Sequence, residues 1–157
     1  MKEQIRLLQA EIQADIEAIK EAYKALNQVS DGLGGEKGIV VGYYLHVLYG
    51  LFENLFARIA TTFGNQITDE AKWHSQLLRR MTLDVKDVRP RVIGRETFEC
   101  LEVLRRFRHL FRNAYVLRFD PDRLGAAVQS AQRLEQLYRR DLSAFLRFLD
   151  DLAGEAE

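Results

Sequence analysis

KEQIRLLQAEIQADIEAIKEAYKAL, residues 2 to 26, decides the fold. Ile5, Leu8, Ile12, Ile16, Ile19 and Tyr23 recur at steps of three and four, and charged or polar residues fill most positions between them. An α-helix turns once in about 3.6 residues, so these six side chains share one stripe that needs a partner to bury it. The spacing predicts a helix over about 3–29, stopped by SDGLGGEKG, whose four glycines and Ser30-Asp31 make a loop.

The same period continues outward from there. A second helix is expected over about 37–63, with Val41, Tyr44, Leu48, Leu51, Leu55 and Ile59 as its buried stripe and Gly64-Asn65 as its end. Thr68-Asp69-Glu70 has the composition of a helix N-terminus and precedes Trp73, Leu77, Leu78 and Met81 of a third. TLDVKDVRPRVIG is less regular, with Pro90 inside it. A fourth helix over about 95–119 carries Phe98, Leu101, Leu104, Phe107, Phe111 and Ala114. Asp120-Pro121-Asp122 breaks it and starts a fifth, which runs to about 150 through Leu124, Val128, Ala131, Leu134, Tyr138, Phe145 and Leu149. No stretch shows strand-like alternation. The expected fold is all-α, an up-and-down bundle of about five helices in a single domain spanning 1–157.

Composition narrows the function. Lys plus Arg equals Asp plus Glu, at 23 each, so no global field draws the chain to nucleic acid or membrane, and anion binding must come from a local cluster. The single Cys100 excludes an internal disulfide framework and a cysteine metal site, and a reducing cytoplasmic home is expected. The charged N-terminal stretch is no signal peptide. IVVGYYL is too short to cross a bilayer and is soon followed by His46 and Glu53, so no membrane partner is expected.

FRHLFRNAY, residues 107 to 115, supplies the local cluster. With Arg108 at zero and about 100° per residue, Arg112 falls near about 40°, Arg105 near about 60° and Tyr115 near about −20°. His109 lies near about 100° and Asn113 near about 140°, while Phe107, Phe111 and Ala114 occupy the far side. Guanidinium forks pair with phosphate oxygens, and a tyrosine can stack on a base or donate to a phosphate. The plainer alternative is an exposed flank whose arginines lie over Phe107 and Phe111, with Asp120 and Asp122 absorbing part of the charge.

Arg108-His-Leu-Phe-Arg-Asn113-Ala-Tyr115, inside a five-helix chain of this size, resembles the signature of the HEPN-fold proteins. The likeness is closest to the HepT-like ribonuclease toxins encoded beside a minimal nucleotidyltransferase (MNT) antitoxin. Their frame is Arg, four to six residues, His, one residue and Tyr; here Asn113 stands where the His belongs. LRFDPDRL and WHSQLLRRM extend the likeness. It implies a homodimeric, metal-independent endoribonuclease acting on RNA, with tRNA the expected substrate, through a composite site at the dimer interface. In that frame Arg108 would neutralise the scissile phosphate, position 113 would transfer protons, and Tyr115 would accept AMP from the MNT antitoxin. Arg105 and Arg112 stand outside that frame and, with His109, are candidate RNA contacts.

An amide fills the space of an imidazole and can hydrogen-bond, but it cannot exchange a proton near neutral pH. The resemblance together with Asn113 therefore implies a badly impaired nuclease that still folds, dimerises and binds, whether the asparagine is natural or introduced to disarm a toxic enzyme. His109 is the nearby candidate for a substitute, although neither Arg105 nor Arg108 stands at the signature spacing from it. The rival function is a non-catalytic HEPN-like subunit that binds RNA or protein. No metal or cofactor is expected. His46, Glu53 and His74 lack the Glu-x-x-His pairs of a di-metal bundle and read as interhelical hydrogen-bonding groups or surface positions. GLGGEKG lacks the Lys-Ser/Thr ending of a phosphate loop. Tyr43, Tyr44 and Tyr49 read as core or interface.

Overall fold

A computed structural model describes residues 1–64, 67–112 and 120–155, without the side chains of 111 and 112. Among the described residues five α-helices follow one another: α1 (Lys2–Val29), α2 (Gly35–Thr62), α3 (Trp73–Arg80), α4 (Arg95–Arg112) and α5 (Pro121–Glu155). A 3-10 turn, Glu70–Lys72, leads into α3. Among the described residues the only β-type pairing is an isolated bridge between Val85 and Arg89.

Side-chain partners define the topology. On α1 and α2, Arg58 reaches back to Glu11 and Asp15, so the two helices run antiparallel. Arg6 meets Asp150 and Asn27 meets Glu135, which sets α5 antiparallel to α1. Phe52 packs on Tyr138 and Phe63 on Phe145, so α2 and α5 run parallel across the bundle. Thr97 pairs with Asp141, while Cys100 and Val103 further along α4 share a cleft with Ala126 and Ser130 of α5, so α4 returns antiparallel to α5. The result is an up-and-down bundle in which, among the described residues, α2 touches all four other helices, α5 touches three of them and α1 does not reach α4. α3 is a short element against α2 and α4 rather than a full-length strut.

The α1 stripe is buried as the spacing predicts, from Ile5 through Tyr23. Each fully buried Ile or Leu contributes roughly 1.5–3 kcal/mol over an exposed one, so this row is a large part of what docks α1. The expected α2 stripe is too narrow. Tyr44 and Leu51 are only half-buried, whereas Leu45, Tyr49, Phe52 and Phe56 are fully inside. α2 has the length and apolar content to cross a bilayer, and half of its most apolar window is buried within the bundle.

Three ends show how local chemistry stops and starts the helices. Gly64 takes φ +74° just past α2, a conformation that costs glycine nothing, and its N–H donates to the Thr61 carbonyl at 3.3 Å. Asp69 caps the 3-10 turn instead of α3 itself, its carboxylate accepting from the Ala71 N–H at 3.1 Å. Asp120 accepts from the Asp122 N–H at 3.0 Å and Pro121 opens α5, as the sequence pattern implies.

The irregular stretch after α3 is built around Arg89. Its guanidinium is 3 % exposed and donates to the carbonyls of Arg80, Leu83 and Pro90 at 3.1–3.2 Å, while Nε is buried without a partner. Burial pulls this guanidinium below its ordinary pKa, with Asp84 opposing the shift. Val92 and Ile93 then insert into the core and lead into α4. The α4 N-terminus is capped from another helix: Asp141 of α5 accepts from the Gly94 N–H at 3.0 Å and from the Thr97 hydroxyl.

Candidate functional site

The α4 helix carries the arginines, and its amphipathic pattern fixes which way each one faces. Phe107 and Leu104 anchor it in the core, so Arg105 and Arg108 sit at the edge of the buried face and Arg106 projects to solvent. Arg108 leans inward across the seam with α2. Its Nη1 donates to the Glu53 carboxylate at 2.8 Å, and its guanidinium carbon lies 5.7 Å from the centre of the Tyr49 ring. The side chain is 18 % exposed and its Nε is buried without a partner. Arg108 is therefore a seam residue between two helices, not part of an exposed flank.

Glu53 is the pivot of the arrangement. A carboxylate inside a bundle costs several kcal/mol unless it is paired and hydrogen-bonded. At 5 % exposure Glu53 meets that condition with both oxygens: one takes Arg108, and the other lies 2.7 Å from Nδ1 of His74 on α3. Glu53 and His74 thus join different helices, as interhelical hydrogen-bonding groups should. Trp73 sets its ring edge-on to the His74 ring at 5.0 Å. Tyr49 is fully buried one turn before Glu53, and its hydroxyl is pushed well above the ordinary phenol range, first by burial and next by the Glu53 charge. That phenol stays neutral and serves as an aromatic face for Arg108.

Arg105 and Arg106 share one carboxylate on their own helix. Glu102 accepts from Arg105 Nε at 3.1 Å and lies 3.3 Å from Arg106 Nε. The hydrogen bond from Arg105 is the main reason the Glu102 carboxyl sits below its usual range, and Glu102 in turn raises Arg105. The positive sector is accordingly balanced in part by Glu102 and Glu53. His109 is exposed on α4. Asn113, Ala114, Tyr115 and any extension of the helix to 119 lie outside the described residues, as do the side chains of Phe111 and Arg112.

With the seam built from α2, α3 and α4, the comparison with known families falls on those elements. A family model described as "HepT-like protein" matches residues 40–149, from the first turns of α2 to near the end of α5. The chain belongs to the HepT-like family. No curated protein and no solved structure matched it. The HepT-like match leaves all of α1 outside, although α1 buries a full apolar stripe against α2 and α5.

Of the residues that sequence reasoning selected, Arg105 and Arg108 lie within the electrostatic reach of Tyr49 and Glu53. Glu53 was missed as a site residue. Its signal was present: a lone acid in the otherwise apolar run IVVGYYLHVLYGLFENLFARIA must find a cation inside the fold. Among the described residues, no three His, Cys, Asp or Glu side chains cluster as metal ligands.

Proposed function

We propose that this HepT-like chain is a toxin-type, metal-independent endoribonuclease of the cytoplasm, assembled as a homodimer whose two α4 helices build a composite RNA site. Arg108 neutralises the scissile phosphate, and Arg105, Arg112 and His109 contact the RNA around it. Position 113 is the family's proton-transfer position, and its asparagine lowers the rate. Proton transfer by a placed side chain is worth about 10²–10⁴-fold, so a rate deficit of up to that order is expected relative to a histidine at 113. An MNT nucleotidyltransferase antitoxin silences the site by attaching AMP to Tyr115, where the added phosphate meets the cations meant for RNA.

The observation that carries this reading is the anchoring of Arg108. The residue that opens the family frame is held by a buried carboxylate and an aromatic ring from a second helix. A guanidinium whose position is set before substrate arrives loses little entropy on binding a phosphate.

The test is cleavage of tRNA in chelator by the chain and by Asn113→His. The histidine form should cut faster, by up to about 10²–10⁴-fold. A second reading, a non-catalytic subunit that binds RNA or protein, is favoured by Asn113 itself; no cutting by either form, with both folded and dimeric, would select it.

A further inference from the structure

We propose that His74 carries the proton in this chain's RNA cleavage, the role that Asn113 cannot fill. The inference rests on the ribonuclease reading above. It starts from Glu53, whose two oxygens hold two different groups: Arg108 Nη1 at 2.8 Å and His74 Nδ1 at 2.7 Å. Arg108 is a permanent cation, and the Glu53 carboxylate paired with it as an anion only accepts, so it has no hydrogen to give to the imidazole. Nδ1 of His74 therefore bears the hydrogen, and Nε2 is left as the basic nitrogen.

Three features suit that nitrogen to the task. His74 and Arg108 occupy the two oxygens of one carboxylate, so a phosphate drawn to the Arg108 side of the seam arrives beside the imidazole. The His74 side chain is 42 % exposed, against 7 % for Glu53, so substrate can reach the ring while its support stays buried. Trp73 packs edge-on against the ring and restrains its plane. A carboxylate behind an imidazole also stabilises the imidazolium that forms when Nε2 takes a proton, the arrangement by which a buried acid assists a catalytic histidine.

The step balances without a co-reactant. Nε2 removes the hydrogen of the RNA 2′-hydroxyl as the 2′-oxygen bonds to phosphorus. The bond from phosphorus to the 5′-oxygen breaks, and the imidazolium returns the proton to that departing oxygen. The products are a 2′,3′-cyclic phosphate and a 5′-hydroxyl, and Arg108 offsets the charge that builds on the phosphoryl oxygens.

The experiment follows metal-free cleavage of a labelled RNA by the parent chain, His74→Gln, His74→Ala with and without added imidazole, His109→Ala and Asn113→His. Glutamine at 74 can still donate to Glu53 but cannot relay a proton, so His74→Gln should melt like the parent and cut about 10²-fold more slowly or worse. Imidazole should restore part of the rate to His74→Ala. The inference is overturned if His74→Gln cuts like the parent, if imidazole restores His109→Ala but not His74→Ala, or if only Asn113→His cuts at all. Silence from every form including Asn113→His sinks the ribonuclease reading rather than the assignment of His74.

Discussion

Replacing Glu53 by glutamine isolates what the buried carboxylate contributes to the seam. The amide keeps the shape and one acceptor oxygen. Arg108 can only donate, so that oxygen must turn to Arg108, and the amide NH₂ then faces His74, whose Nδ1 becomes the acceptor in the other tautomer. No partner is lost, but a hydrogen bond between two ions becomes one between an ion and a neutral amide. The bond to Arg108 keeps one charged partner, while the one to His74 falls from about 1.5–3 kcal/mol, for a bond to a charged group, to about 0.5–1.5 kcal/mol, for a neutral one. With the weakened attraction to Arg108 the deficit is about 1–2 kcal/mol. Arg108 is partly in contact with water, which holds the loss well under the roughly 3–5 kcal/mol of a fully buried pair broken outright. For a domain of this size about 1–2 kcal/mol lowers Tm by roughly 2–8 °C. Urea unfolding should show a lower midpoint with an unchanged slope. The Glu53→Gln, Arg108→Met double variant should show a coupling of about 0.5 kcal/mol or more between the two positions. An unchanged midpoint for Glu53→Gln, or strict additivity in the cycle, would refute the pairing as the reason Glu53 is tolerated in the core.

Asp141→Ala removes the tertiary cap of α4, leaving the Gly94 N–H and Thr97 hydroxyl without their shared acceptor. A loss of about 1–2 kcal/mol is expected by thermal melting, and an unshifted melt would show that the cap is dispensable. Gly38→Ala places a methyl 2.6 Å from the Leu33 carbonyl oxygen and 3.3 Å from Leu124, forcing the backbone before α2 to move. That overpacking should cost about 1–3 kcal/mol in urea unfolding, and a neutral result would mean the turn repacks freely.

How far the sequence reaches is clear from individual residues. Ile5 through Tyr23 could be read directly, because α1 is buried along one side and polar along the rest, which gives its period full contrast. α2 blurred because it is packed by α1, α4 and α5 together, so Leu45, Phe52 and Phe56 fill positions that a one-sided helix would leave polar. The α3 region yielded its apolar positions but not its shortness, since Asp69 and the 3-10 turn consume the expected start. At the site, the helical wheel groups Arg105 and Arg108 in one sector, yet no spacing rule relates Arg108 to an acid 55 positions earlier. Ion pairs between helices depend on packing angle and depth, which periodicity does not encode. The same holds for Arg89, whose three carbonyl partners come from a fold of the chain that Pro90 alone does not predict.

The Tyr23 hydroxyl donates to the Ala131 carbonyl at 2.7 Å, and its ring stacks on Tyr138, which meets Phe52 edge-on. The aromatic column that locks the first two helices together thus takes its third member from the last. During synthesis at about 5–20 residues per second, the apolar sides of α1 and α2 stay without their closing partner for on the order of ten seconds. α4, which carries Arg108, leans on that same final helix. Assembly of the arginine seam is therefore tied to the emergence of α5, and a nascent chain caught before that moment holds its site residues without the scaffold that aligns them.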